Sequence, residues 1–121
     1  MNYDDIDADG FGRSLRGLGL NILVRDVREQ VAFLAEVFGM TAHQPTDDFA
    51  IISYGSQVFQ LHSDSTYSSN PLLGLVPANP PRGAGLEIRL YDTDPDGACA
   101  RATGLGGTIL QPPTDKPHGL R

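Results

Sequence analysis

The feature that most constrains this chain is a repeat. Residues 19–26 read GLNILVRD and residues 85–92 read GLEIRLYD, 66 residues apart, with four of eight positions identical. A fifth position exchanges Val24 for Leu90. The stretches that follow are alike too. After Asp26, apolar side chains recur at Val27, Val31, Leu34 and Phe38, the spacing of one helical face. Asp26 with Glu29 three residues later reads as a capping box, and Gly39 suits the left-handed residue that closes a helix. After Asp92, Asp94 can cap, Pro95 can open and residues 104–107 (GLGG) can close a second helix. Each copy therefore predicts a strand, a helix of roughly three to four turns, a glycine and a further strand. A chain of 121 residues has room for one domain in which two such modules share a core.

The first copy continues with strands expected at 41–44, 49–54 (FAIISY) and 58–62 (VFQLH), the last two joined by a hairpin turn at Gly55-Ser56. Module one is thus βαβββ over residues 17–62. A connector over 63–84 carries turn signals at Asn70-Pro71 and Asn79-Pro80-Pro81. Module two, residues 85–121, supplies a strand at 85–90, its helix and a strand at 108–111. It then stops short of the last strand that module one possesses. A sheet ending there has an unpaired edge, so either the natural chain continues past Arg121 or a partner completes the sheet. Residues 1–16 are expected to form a polar tail outside the core. They hold Asp4, Asp5, Asp7 and Asp9, most of the net charge of −6.

That charge has the wrong sign for a surface that tracks phosphates, so no nucleic acid is expected. No apolar run approaches the ~18 residues of a membrane span. The single cysteine, Cys99, excludes an intrachain disulfide and any multi-cysteine metal site. These points favour a cytoplasmic protein.

The strand openings GLNILVRDV and GLEIRLYDTD, the helix ending VFGM, the hairpin strand VFQLH and the stretch GGTILQPPTDKPHGLR together resemble the vicinal-oxygen-chelate superfamily. That superfamily includes glyoxalase I, extradiol dioxygenases and bleomycin-binding proteins. The likeness covers the chain from about Leu15 onward. It implies an α+β fold in which two βαβββ modules form an open, curled mixed sheet around a cleft, with helices on the outer face. It also implies a homodimer, and in metal-using members it implies ligands at the head of the first strand and on the last strand of each module. The head positions here are Gly19 and Gly85, which carry no ligating side chain, and the matching last-strand position of module one is Gln60. The fourth position falls beyond Arg121. The inherited metal site is therefore read as lost, with no cofactor expected. A shifted oxygen-rich site built from Asn21, Gln60, His62 and Glu87 is the alternative.

Strand parity locates the cleft. Leu20, Ile22 and Val24, with Leu86, Ile88 and Leu90, form the apolar sides expected under the helices. Asn21, Leu23, Glu87 and Arg89 then face the other way, where Val58, Gln60 and His62 join them. Glu87 and Arg89 either pair with each other or recognise a polar ligand. Phe49 and Ile51 are offered as apolar walls, although FAIISY is apolar on both sides. Tyr67 in the connector is a candidate aromatic wall. His62, and His118 in the terminal loop, are candidates for hydrogen bonding to a ligand, whereas His43 reads as a surface residue on a short strand. The ligand-binding set is thus Asn21, Phe49, Gln60, His62, Tyr67, Glu87, Arg89 and His118, with no catalytic residue assigned.

Two tempting patterns are set aside. DIDADG and DTDPDG match the first half of an EF-hand loop, but Arg16 and Thr103 stand where its twelfth-position glutamate belongs. Cys99 lies among alanines and reads as a small packed thiol rather than a nucleophile. The function expected is metal-free binding or sequestration of a small organic molecule, in the manner of bleomycin-resistance-type proteins. Two alternatives stand beside it: a metal-dependent lyase, isomerase or dioxygenase using a shifted site, and a noncatalytic interaction domain.

Overall fold

The computed structural model describes residues 1–79 and 81–121. The turn expected at Asn79-Pro80-Pro81 includes Pro80, which lies outside the described residues. In chain order the elements are α1 (Ala8–Ser14), β1 (Asn21–Val24), α2 (Val27–Phe38), β2 (Thr41–His43), β3 (Phe49–Tyr54), β4 (Gln57–Ser63), two short 3₁₀ turns (Asp64–Tyr67 and Pro71–Leu75) and α3 (Pro95–Gly104). The sheet is mixed, with strand order β1-β4-β3-β2. β3 and β4 form the expected hairpin, with Tyr54 opposite Gln57 and Gly55 at φ 59° in the turn. β1 runs parallel to β4, which requires a crossover, and α2 followed by the β2–β3 pair supplies it.

Helix α2 begins and ends as its sequence dictates. The Asp26 carboxylate accepts from the Glu29 backbone N–H, and Gly39 takes the left-handed conformation, φ 69°, that lets its N–H and that of Met40 return to the last carbonyls. Its apolar stripe lies on one face of the sheet. Val27, Met40, Ala50, Ile52 and Leu61 are fully enclosed there, and Ile22, Val24, Val31, Leu34, Phe38 and Phe59 pack around them.

The two calcium-like patterns are helix starts. Asp7 caps α1 and Asp94 caps α3, each accepting from the glycine three residues on, Gly10 or Gly97. A Cβ on either glycine would run into the capping carboxylate. At Gly10 and Gly97 the absent Cβ lets the carboxylate sit this close, whereas in α2 Asp26 makes the same cap to Glu29. The first of these helices also corrects an expectation. Residues 1–16 do not trail away as a polar tail: Phe11 is 6% exposed, and the segment lies against the sheet face opposite α2. Its acidic residues face outward while a single aromatic is buried.

The second copy of the repeat delivers its helix but not its strands. Among the described residues, neither 85–90 nor 108–111 pairs with the sheet. Of the three side chains expected under the helices, only Leu90 reaches the core. Leu86 and Ile88 stay exposed. A strand exists only as half of a pair. In module one the neighbour of β1 is β4, and no described segment stands in that place beside 85–90. What holds the second half is α3 against α2. The Arg101 guanidinium donates twice to the Val37 carbonyl, at 3.0 and 2.8 Å, satisfying an orphan acceptor at the C-terminal end of α2. Ala102 is buried, and Gly107 approaches Phe33 so closely that a Cβ would lie 3.1 Å from its ring.

Two substitutions separate these layers. Leu61→Ala removes a fully buried side chain from the central strand and should cost about 3 kcal/mol of global stability. Arg101→Met keeps the stem but loses both charged hydrogen bonds, about 1–2 kcal/mol. Hydrogen exchange should show Arg101→Met raising the exchange of α3 amides while β3 and β4 stay protected. Equal loosening everywhere would mean that α3 is not a separately docked unit.

Candidate functional site

The register fixes which side chains share the face away from α2. Gln60 sits between Asn21 of β1 and Ile51 of β3, and His62 sits between Leu23 and Phe49. This settles the side that FAIISY left open: Phe49 and Ile51 join Gln60 and His62, while Ala50 and Ile52 enter the α2 core. Directly after β4 the first 3₁₀ turn folds back and brings Tyr67 to His62. The ring centroids of Phe49 and His62 are 5.1 Å apart, as are those of His62 and Tyr67, both edge-on. The histidine thus stands between two aromatic edges, an arrangement that favours a planar group.

Both ring nitrogens of His62 have a side-chain partner. Burial alone lowers its pKa below the ordinary 6.5, so the ring is neutral at pH 7. Nδ1 lies 3.2 Å from Thr66 Oγ1, and that hydroxyl donates its own proton to the Ser63 carbonyl at 2.8 Å. Nε2 faces Gln60 Oε1 at 3.2 Å. Thr66 is not among the residues that the sequence singles out. Its signal is the SDST stretch after the strand, where a hydroxyl four residues beyond His62 returns on a 3₁₀ turn.

The turn itself is pinned from the connector. Arg82 grips Asp64 with two parallel bonds, 2.8 and 2.7 Å, and donates a third to the Pro77 carbonyl at 2.8 Å. The guanidinium bonds hold Asp64 below the usual carboxylate range, with the charges of Arg82 and Arg25 adding to the effect against the opposing cost of desolvation. Asp48, just before β3, accepts from both Ser63 and Ser65. Tyr67 therefore stands on a braced support.

The remaining candidates lie elsewhere. Glu87 and Arg89 form an ion pair with each other, both largely exposed, and among the described residues neither bonds to Asn21, Gln60 or His62. They line a separate cleft of about 1210 Å³ between the α2 side of the sheet and the second half of the chain, with Leu20, Phe59 and Ile109 among its walls. Placing them on one face with Gln60 required residues 85–90 to continue the sheet, which they do not. His118 is exposed in the terminal loop and has no side-chain hydrogen bond among the described residues. His43, read as a surface residue, is mostly covered, with its ring between Asp4 and Ser53.

The site residues do not suit the divalent ion that the resemblance attaches to metal-using relatives. Gly19 and Gly85 present only backbone. Asn21, Gln60 and His62 are all neutral, and Gln60 and His62 are engaged with each other. The carboxylate of the proposed shifted set, Glu87, is committed to Arg89. Among the described residues, no group of three His, Cys, Asp or Glu side chains is placed to hold a metal. A hard cation wants anionic oxygen ligands, and this face offers amides.

The lowered pKa of His62 makes a signed prediction. The unfolded chain takes up the His62 proton as pH falls through 6.5, whereas the folded chain resists until lower pH. Stability contributed by this group is therefore complete above 6.5 and is lost on acidification. Urea unfolding between pH 8 and 5 should show a falling midpoint in the wild type and a shallower fall in His62→Gln. Identical slopes would mean that His62 titrates alike in both states.

No protein-family profile and no curated protein matches the sequence. Solved structures do match. One is a glyoxalase/bleomycin resistance protein/dioxygenase family enzyme from Burkholderia phytofirmans, at TM-score 0.65 and 20% identity, covering 84% of this chain and 81% of that one. A lactoylglutathione lyase from Agrobacterium tumefaciens superposes at TM-score 0.55 with 19% identity, over 86% of this chain and 79% of its own. TioX from Micromonospora gives 0.51 and 21%, over 86% and 83%. At such identities the likeness is one of fold, and the fold is that of the glyoxalase/bleomycin resistance/dioxygenase proteins.

Proposed function

We propose that this protein binds a small, planar organic molecule on the sheet face opposite α2, without a metal, and acts by holding it. The observation that carries the reading is the neutral His62, set between the edges of Phe49 and Tyr67 and linked to Gln60. Such a group offers aromatic contact with matched donors and acceptors. It lacks the anionic ligands of a metal centre and any acid–base pair of separated strength. Asn21, exposed beside Gln60 in the register, adds an amide to orient polar substituents.

The protein is further proposed to work as a homodimer. A compact monomer of this mass exposes about 6,300 Å², whereas this chain exposes 8514 Å². Leu18, Leu86, Ile88 and Leu110 are among the uncovered side chains. β1 is an edge strand at the same border of the sheet. A stable interface needs roughly 800 Å² per partner, and that much is on offer. The free thiol of Cys99 fits a cytoplasmic setting.

The test is a titration with aromatic amides of benzamide size, read from the His62 ring signals by NMR. Saturable shifts are expected, unchanged by a chelator, with Gln60→Leu and His62→Phe weakening binding about tenfold or more at unchanged fold. Binding that vanishes on chelation and returns with a divalent ion would overturn the metal-free reading. Light scattering of the same sample should give twice the chain mass.

A further inference from the structure

The face that carries His62 is already partly occupied, by the chain's own N-terminus. The rings of Tyr3, Phe11, Phe49, His62 and Tyr67 form one continuous row: Tyr3 to Phe11 is 5.9 Å, Phe11 to Phe49 is 6.4 Å, and the next two steps are 5.1 Å each. Phe11 is thus the next ring in line after Phe49, supplied from outside the sheet. Ile51 lies on this same face between His43 and Gln60 in register, yet it is only 2% exposed. An open binding face would leave it wet, so the N-terminal segment is its cover.

The attachment of this cover is built but slight. His43 lies between Asp4 Oδ1, at 2.9 Å, and Ser53 Oγ, at 2.8 Å, and Tyr3 rests on its ring. The Gln44 amide donates to the carbonyls of Tyr3 and Ile6, at 2.6 and 2.8 Å. Gln44 does so from φ 48°, a left-handed conformation that few non-glycine residues adopt. Against these contacts stand a seven-residue helix containing two glycines, too short to persist by itself, and one buried side chain. The link to β1 is loosely packed: Gly17 sits at φ 70° and Leu18 is 94% exposed.

We propose that residues 1–16 are a displaceable cover whose Phe11 holds the place beside Phe49 that an aromatic ring of the ligand takes, so that the segment and the ligand exclude each other. This rests on the binding reading above, and the experiment keeps the two apart. The chain contains no tryptophan, so the single indole of a full-length Phe11→Trp variant reports the cover alone, while the His62 ring signals report the face. Benzamide is the probe. With no probe present, the indole emission should be blue-shifted and shielded from acrylamide. With benzamide it should move to the red and become quenchable over the concentration range that shifts His62. Phe11→Ala should tighten benzamide about tenfold, the gain expected if only about a tenth of the wild type is uncovered at any moment. Gln44→Met, which cuts the anchor without touching the face, should tighten it several-fold, and Phe11→Leu should stay close to wild type.

If benzamide shifts His62 while the indole emission does not move and Phe11→Ala binds no tighter, the cover is a fixed wall and this proposal fails, with the binding reading intact. If benzamide binds neither the wild type nor Phe11→Ala, both fail. Binding to Phe11→Ala alone would be the strongest support, because the cover would then be the sole barrier.

Discussion

The parallel pairing of β1 with β4 is the constraint on which the rest of the structure depends. It closes the βαβββ unit across α2 and places Asn21 beside Gln60. It also makes β4 a central strand, bonded on both sides, whose alternate residues serve two purposes. Phe59 and Leu61 go to the helix, and Gln60 and His62 go to the other face. A slip of one residue would exchange those sets and drive an imidazole and an amide into the core, against the burial of Leu61, Ala50 and Ile52. The site is therefore aligned by the core.

Much of this is legible in the sequence because module one is locally consistent. The Asp26 cap, the apolar stripe of α2, Gly39 and the alternation in VFQLH all point to the same unit, and the structure forms it within about two residues at each boundary. FAIISY is the instructive ambiguity. Its apolar residues fall on both sides, and parity cannot choose a face for Phe49. The reason is physical: both faces of β3 are covered, one by α2 and the other by Phe11 and its neighbours. A two-sided apolar strand asks for two covers, and the second is concealed in a segment whose four aspartates read as solvent-facing. Phe11, the first phenylalanine of the chain, and Asp7 as a cap three residues before Gly10 are the available signs.

The second half departs from expectation for a different reason. Residues 85–90 have the same alternating pattern as β1, and a pattern reports which side chains would share a face if a strand formed. Whether one forms depends on a neighbouring chain segment, which no local pattern contains. With no such neighbour among the described residues, Leu90 alone reaches the core, and Glu87 and Arg89, two positions apart, neutralise each other in solvent. The expected second wall of the binding face is lost with the strand. The helix survives because its signals, the Asp94 cap and Pro95, are local, and because Arg101 finds the Val37 carbonyl.

The chemistry of the face follows from how its polar groups are already satisfied. Thr66 donates to a backbone carbonyl, and His62 lies between Thr66 and Gln60. A ligand that sought the Nε2 edge of His62 would have to displace the Gln60 amide, replacing one neutral hydrogen bond by another for little net gain. Among the described residues, the Asn21 amide has no side-chain partner, and the Gln60 amide bonds only through its oxygen. On the proposed reading, two amides and a row of rings suit a flat molecule better than a compact ion. On that reading selectivity comes from shape and hydrogen-bond register, because Asn21, Phe49 and Gln60 carry no ionisable group.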